Sequence, residues 1–157
     1  MTTSFFSYNK AKVLQALRYH FITRKEIKLL MIMVNIFAIA SAALFFFKKI
    51  SPLAFLTGSV LWFSLMLVVW FILPNIIYRK AATFKDSFTV SLEDQHLFLE
   101  NERGSRSWPW KAFSGFVESP HFFHLYFDTR SFFLIPKEAF KEEDLAGARK
   151  ILHEKIG

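Results

Sequence analysis

The chain has 157 residues, of which 53% are hydrophobic and 21 are phenylalanine, and its net charge is +7. It contains no cysteine, which excludes disulfides, thiolate metal sites and cysteine nucleophiles. Residues 1–80 hold ten Lys or Arg against one acidic residue, whereas residues 81–157 hold ten against twelve. Because the basic excess accompanies the apolar half, it favours an anionic lipid surface over nucleic acid as the partner.

The N-terminal segment, residues 1–28, has the pattern of a basic amphipathic helix over residues 9–22. Its apolar residues recur at helical spacing, and basic residues lie largely on the other side. Such a helix can lie in the lipid headgroup layer, or it can pack its apolar face on the soluble domain. The sequence leaves both placements open. The apolar positions are Val13, Leu14, Leu17 and Phe21.

A helix boundary is expected at the end of this segment. Thr23 to Glu26 fits a capping box, with Thr23 as the N-cap and Glu26 reaching back to its amide. The pattern therefore predicts a bend near Thr23 and not one continuous helix.

Two long uncharged stretches follow, and they predict a transmembrane helical hairpin over residues 29–78. The spans cover about residues 29–47 and 53–75, and a bilayer core needs about 20 apolar residues in a helix. A signal peptide is rejected because the first stretch starts too far from Met1 and no small-residue cleavage site follows. Pro74 is expected to kink or end the second span.

Basic residues flank these spans unequally and predict their orientation. Six precede the first span and three follow the second, but the connection contains only Lys48 and Lys49. The excess of Lys and Arg on one side places both termini in the cytoplasm. The residues expected at the membrane interface are Lys10, Lys12, Arg18, Arg24, Lys25, Lys28, Arg79 and Lys80.

Polar and small residues inside the spans suggest a contact between helices. Asn35 is the only strongly polar side chain deep in either stretch, and Gly58 and Ser59 lie on a small-residue face of the second. Intramembrane polar groups often hold helices together. We interpret Asn35, Gly58 and Ser59 as a candidate intramembrane contact, with a bond between the two spans favoured over a partner site.

Residues 81–157 predict a small α+β domain. Alternating apolar residues over 84–92, and again at Leu97 and Leu99, have the period of half-buried strands. Further strands are expected near residues 106–108, 114–118, 122–127 and 131–135, and a helix after Pro136. The fold class is thus a membrane α-helical hairpin plus an antiparallel curved sheet or partial barrel closed by a C-terminal helix. The predicted shared core is Trp110, Phe123, Leu134 and Leu152.

This half resembles the YcxB-like family. The resemblance rests on Trp110 and Phe113, on Val117-Glu118, and on an aromatic strand followed by Ile135-Pro136-Lys137 and Phe140. It implies a bacterial membrane protein whose soluble part is similar to pleckstrin-homology-like domains. It implies no catalytic residues, because the family has no established activity.

The sequence contains no recognisable catalytic, cofactor or metal motif. His121 and His124 are three apart in a predicted strand, so they point to opposite faces and cannot share a metal. No nucleophile elbow and no phosphate-binding glycine loop occurs. The aromatic, partly basic stretch 103–111 resembles a stacking surface for nucleic acid, but the acidic balance of its domain argues against that function.

We therefore expect a non-enzymatic, membrane-anchored binding or accessory protein of the bacterial inner membrane, without a cofactor. Its expected partners are the bilayer, with anionic lipid at the inner leaflet, and a protein partner or a second copy. An immunity protein against an antibacterial toxin is the alternative. A small membrane enzyme with an unrecognised site is the third hypothesis, and clustering of His96, His121, His124, Glu118 and Asp128 in one pocket would favour it.

Overall fold

The computed structural model describes residues 1–157 and divides them into two compact units. One unit combines residues 1–16 with 81–157, and the other is formed by residues 17–80. The segment 1–28, which the sequence analysis treats as one piece, is thus shared between the units. The division falls inside helix α1, Lys10–Thr23.

Two long apolar helices dominate residues 17–80. Helix α2 covers Lys25–Phe46, and a second continuous helix covers Pro52–Lys80. No side chain of α2 is buried within the protein, although a helix that is apolar on every side needs an apolar environment. Both helices are long and apolar enough to cross a membrane.

The junction between α1 and α2 contains the predicted bend but not the predicted capping box. Thr23 is the last residue of α1, and its hydroxyl donates to the carbonyl of His20 at 2.8 Å. Arg24 is the N-cap of α2 and receives no side-chain capping bond. The predicted capping box is wrong because α1 extends through Thr23. The Thr23 hydroxyl therefore bonds to the preceding turn and not to the start of α2.

The second long helix starts with a side-chain cap and a proline. The Ser51 hydroxyl accepts a hydrogen bond from the amide of Ala54 at 3.1 Å, and Pro52 occupies the first turn. Proline is well suited to that position because its missing amide hydrogen has no helical partner there.

Pro74 does not end this helix. The chain forms α3, Pro52–Leu67, then a π-helical turn, Val68–Ile72, and then α4, Leu73–Lys80. A proline cannot donate to the carbonyl four residues before it and crowds that carbonyl. The wider π-helical turn lies directly before Pro74, so the distortion is taken up there and the helix continues.

The other unit contains two antiparallel sheets. Four strands in the order β1 to β4 form one sheet, and three in the order β5 to β7 form the other. The sheets do not close into a barrel. The strands are β1 Phe6–Ser7, β2 Ser87–Leu92, β3 His96–Asn101, β4 Gly104–Pro109, β5 Gly115–Glu118, β6 Phe122–Tyr126 and β7 Phe132–Pro136.

Strand β1 adds the N-terminal residues to this unit and was not predicted. Phe6 pairs with Phe88 of β2 and is buried in the core. Near it, the Tyr8 hydroxyl donates to the carbonyl of Leu134 at 2.8 Å. A strand of two residues leaves no alternation that a sequence pattern could reveal.

One core joins both sheets and the closing helix α5, Glu142–Lys155. Trp110, Phe123 and Leu152 belong to it, as predicted. Leu134 is buried but lies outside this core. Successive strand residues alternate between faces, so Leu134 lies opposite to its neighbours Phe133 and Ile135.

Candidate functional site

The predicted membrane-interface residues differ in their surroundings within the protein. Lys12 forms an ion pair with Glu138. Arg18 donates from Nε to the carbonyl of Trp70 at 2.8 Å, and Arg24 lies 3.8 Å from Glu26. The remaining five are exposed: Lys10, Lys25, Lys28, Arg79 and Lys80.

The apolar face of α1 is covered by protein. Val13, Leu17 and Phe21 are 0%, 0% and 5% exposed. His20 is buried beside them, and burial together with the nearby Arg24 lowers the pKa of His20 to about 4. The apolar positions of α1 named in the sequence pattern are therefore largely buried within the protein.

The candidate intramembrane contact contains one bond between the two long helices. Trp62 Nε1 donates to Asn35 Oδ1 at 3.3 Å, while the Asn35 amide donates to the Met31 carbonyl. A Cβ added at Gly58 would lie 3.9 Å from Ser41 Oγ, so the helices approach closely there. The Ser59 hydroxyl instead bonds within its own helix, to Phe55.

Three charged residues form a cluster on the sheet unit. Glu118 accepts two 2.8 Å hydrogen bonds from Arg149 of α5 and lies 2.6 Å from Lys137 Nζ. These bonds, those of Arg149 first, lower the pKa of Glu118 to about 2. The cluster ties β5 to α5 and to the turn after β7, a structural function for two residues of the family pattern.

The histidines lie in separate environments. His124 is buried, and its Nε2 lies 2.8 Å from the Ser119 hydroxyl. His96 and His121 are exposed. Asp128 is in the β6–β7 turn, where the amides of Arg130 and then Ser131 lower its pKa. No group of three or more His, Asp or Glu is placed to hold a metal ion.

A cleft of about 430 Å³ opens in the sheet unit where β4 and β7 diverge. Its size is in the range of small binding pockets, about 300–1,000 Å³. Trp108 lines it, with ring centroids 5.4 Å from Phe127 and 5.8 Å from Phe133. Phe88, Leu99 and Phe132 also line it.

Two arginines line this cleft, and one of them is paired with a carboxylate outside the lining. The Arg106 guanidinium lies 6.0 Å from the centroid of the Trp108 ring, and Arg103 pairs with Asp86 at 3.4 Å. The lining contains these two arginines and no carboxylate. Residues 81–157 contain more acidic than basic residues, so a cleft lined by arginine stands out in this half of the chain. Such a cleft is suited to an anionic partner.

The sequence predicts the strands that line this cleft but not the cleft itself. Arg106 and Trp108 lie in the stretch 103–111, whose pattern predicts a strand near residues 106–108 and resembles a nucleic-acid surface. The usable signal was alternation, because Arg106 occupies the same face of β4 as Trp108 and pairs with the buried Leu99. An exposed arginine on the sheet face that also carries a buried leucine indicates an opening at that point of the sheet.

The architecture defines a class of protein with two long apolar helices and an antiparallel-sheet domain that ends in a helix. Within it, residues 92–152 match the family model described as YcxB-like protein. This match confirms the predicted resemblance, and it contains the cluster of Glu118, Lys137 and Arg149. No curated protein and no solved structure matches the chain significantly.

Proposed function

We propose that this chain is a non-enzymatic binding protein held at the bacterial inner membrane by its two long helices. The sheet domain is pleckstrin-homology-like and works on the cytoplasmic side, where the cleft between β4 and β7 receives a partner. The order of four strands, three strands and a closing helix supports the domain assignment.

The observation that carries this proposal is the composition of the cleft. Trp108 and Phe133 provide an apolar floor, and Arg103 and Arg106 provide charge at its rim. Exposed aromatic and arginine side chains are enriched where proteins bind each other. The exposed apolar surface of α2 supports the anchor, because a soluble protein would bury such a helix.

Site-specific photo-crosslinking in living cells tests the proposal. A photoreactive residue at Ser105, on the cleft rim, is expected to give a defined crosslinked product in the membrane fraction. The same residue at Lys150, an exposed position on α5, provides the matched control. Equal products at both positions, or recovery of the chain in the soluble fraction, would refute the proposed function.

A further inference from the structure

The cleft lies beside an unpaired edge of the sheet. β4 is the outer strand, and its residues Asn101 and Gly104 close a two-residue hairpin turn with β3. Such a closing pair exchanges backbone hydrogen bonds, and bonded pairs then recur every second residue. The backbone groups that bond to β3 are therefore those of Gly104, Arg106 and Trp108. The same every-second-residue pattern continues at Trp110, whose amide donates to the carbonyl of Gln95.

The backbone groups of Ser105 and Ser107 consequently point away from the sheet. Both residues are exposed. Pro109 is the next residue whose backbone nitrogen points away from β3. Its missing amide hydrogen therefore costs no hydrogen bond to β3. Two amides and two carbonyls of β4 are thus available to a further strand.

The edge of β7, across the cleft, offers fewer backbone hydrogen-bonding groups than the edge of β4. Lys137 donates to the carbonyl of His121, so the odd-numbered residues of β7 bond to β6. The outward carbonyl of Leu134 accepts the Tyr8 hydroxyl, and outward Pro136 has no amide hydrogen. A strand entering the cleft would find its backbone partners on β4.

We infer that β4 binds an extended acidic segment of a protein partner, added as a fifth strand to the four-stranded sheet. Addition of a peptide strand gains affinity from backbone bonds and specificity from alternate side chains. An acidic side chain beside Arg106 and an apolar one beside Trp108 would match the cleft. This inference rests on the proposed function and names the partner of the same cleft.

Charge favours such a partner over a second copy of this chain. A two-fold pairing centred on β4 would bring the Arg106 side chains of two copies close together, and like charges opposite each other destabilise a sheet. An acidic strand has no such conflict.

Binding of a fluorescent probe peptide to the full chain in neutral detergent tests the inference. The eight-residue probe alternates threonine with, in turn, glutamate and valine. We expect saturable binding that weakens as salt rises. Binding should fall at least about tenfold when lysine replaces glutamate in the probe, or when the probe amides facing β4 are N-methylated.

Variants of the chain locate the contact. Ser107→Pro removes an outward amide that the β3 ladder does not use, so it should lower affinity at least about tenfold. Ser105→Ala keeps the backbone and should bind normally. Arg106→Gln should weaken binding and its salt dependence, whereas Lys150→Gln should change neither. If Ser107→Pro does not fold, the N-methylated probe still decides the point on the unchanged protein.

Several results would overturn the inference. If the N-methylated probe binds as tightly as the unmodified probe, strand addition is excluded. If no probe binds, the arginines only protect the edge of β4 from pairing with other chains. Dimerisation lost in Ser107→Pro would assign the edge to a second copy. Arg106-dependent binding to phosphatidylglycerol vesicles without probe binding would assign the cleft to lipid. A chain that binds the probe but is absent from membranes would contradict the proposed function and not this inference.

Discussion

Trp110 and Glu118 show how single side chains hold the sheet domain together. Trp110 packs in the core, and its Nε1 donates to the carbonyl of Glu93 at 2.9 Å. Glu118 joins β5 to α5 at the domain surface. The first residue contributes mainly by burial of apolar area and the second by charge, so their removal should differ in its dependence on pH.

Trp110→Ala should destabilise the sheet domain by about 3–5 kcal/mol, because truncation of a buried aromatic leaves a cavity. In a domain of this size the melting temperature would fall by more than about 10 °C. Trp110→Phe keeps most of the volume and should lose mainly the hydrogen bond, about 1 kcal/mol. Thermal unfolding of the full chain in detergent measures both, and an unchanged transition in Trp110→Ala would contradict the core assignment.

Glu118→Gln should lower stability at pH 7 by about 1.5–3 kcal/mol, the range for hydrogen bonds to charged groups. The pKa of Glu118 falls from 4.5 to about 2 on folding. A depressed carboxyl pKa stabilises the fold above about pH 4.5, and this contribution is lost as the pH falls towards 2.

The destabilisation by Glu118→Gln should therefore shrink between pH 4.5 and 2, as measured by denaturant unfolding across that range. Glu102→Gln, in the exposed β3–β4 turn, is the matched control and should stay within about 0.5 kcal/mol of the parent. A difference that is constant with pH would show that the ion pairs do not contribute.

At the scale of elements, the π-helical turn of the second long helix has a specific partner. Pro74 has no amide hydrogen for the Trp70 carbonyl, and that carbonyl accepts the 2.8 Å bond from Arg18. The Arg18 guanidinium also lies 5.7 Å and 5.3 Å from the ring centroids of Trp70 and Phe71. Arginine is suited to this position because its planar group can donate and stack at once.

Arg18→Lys should therefore destabilise the helical unit by about 1.5–3 kcal/mol although it keeps the charge. Pro74→Ala restores an amide donor near the Trp70 carbonyl, so Arg18→Lys should cost less in that background. Thermal unfolding of the four variants in detergent forms the double-mutant cycle. Lys25→Gln, at an exposed position, is the control. If Arg18→Lys left the stability of the helical unit unchanged, Arg18 would act only as a topology signal.

Most elements could be predicted because their patterns are long. Six of the seven strands, α5 and both long helices follow from periodicity and uncharged length. The helix through Pro74 could not be predicted, because a π-helical turn has no residue signature of its own. The prediction that Leu134 belongs to the shared core was wrong. Burial alone does not say which face of a strand meets that core.

At the scale of the whole molecule, the sequence predicts an anchor and a domain but not the cleft. The charge contrast between residues 1–80 and 81–157 is visible in composition. The cleft depends on two strands, β4 and β7, that are distant in sequence and diverge in space. Their relative position is set by tertiary packing, so the alternation around Arg106 shows which face of β4 this residue occupies but not that β7 lies across from it.

We propose that the two long helices cross the membrane with the sheet domain on the cytoplasmic side. Because the chain has no cysteine, single cysteines report the topology without background. Labelling intact cells with an impermeant maleimide compares Ser51→Cys, between the helices, with Glu102→Cys, in the exposed β3–β4 turn. We expect labelling at position 51 in intact cells and at position 102 only after lysis. Labelling at position 102 but not at 51 in intact cells would contradict it.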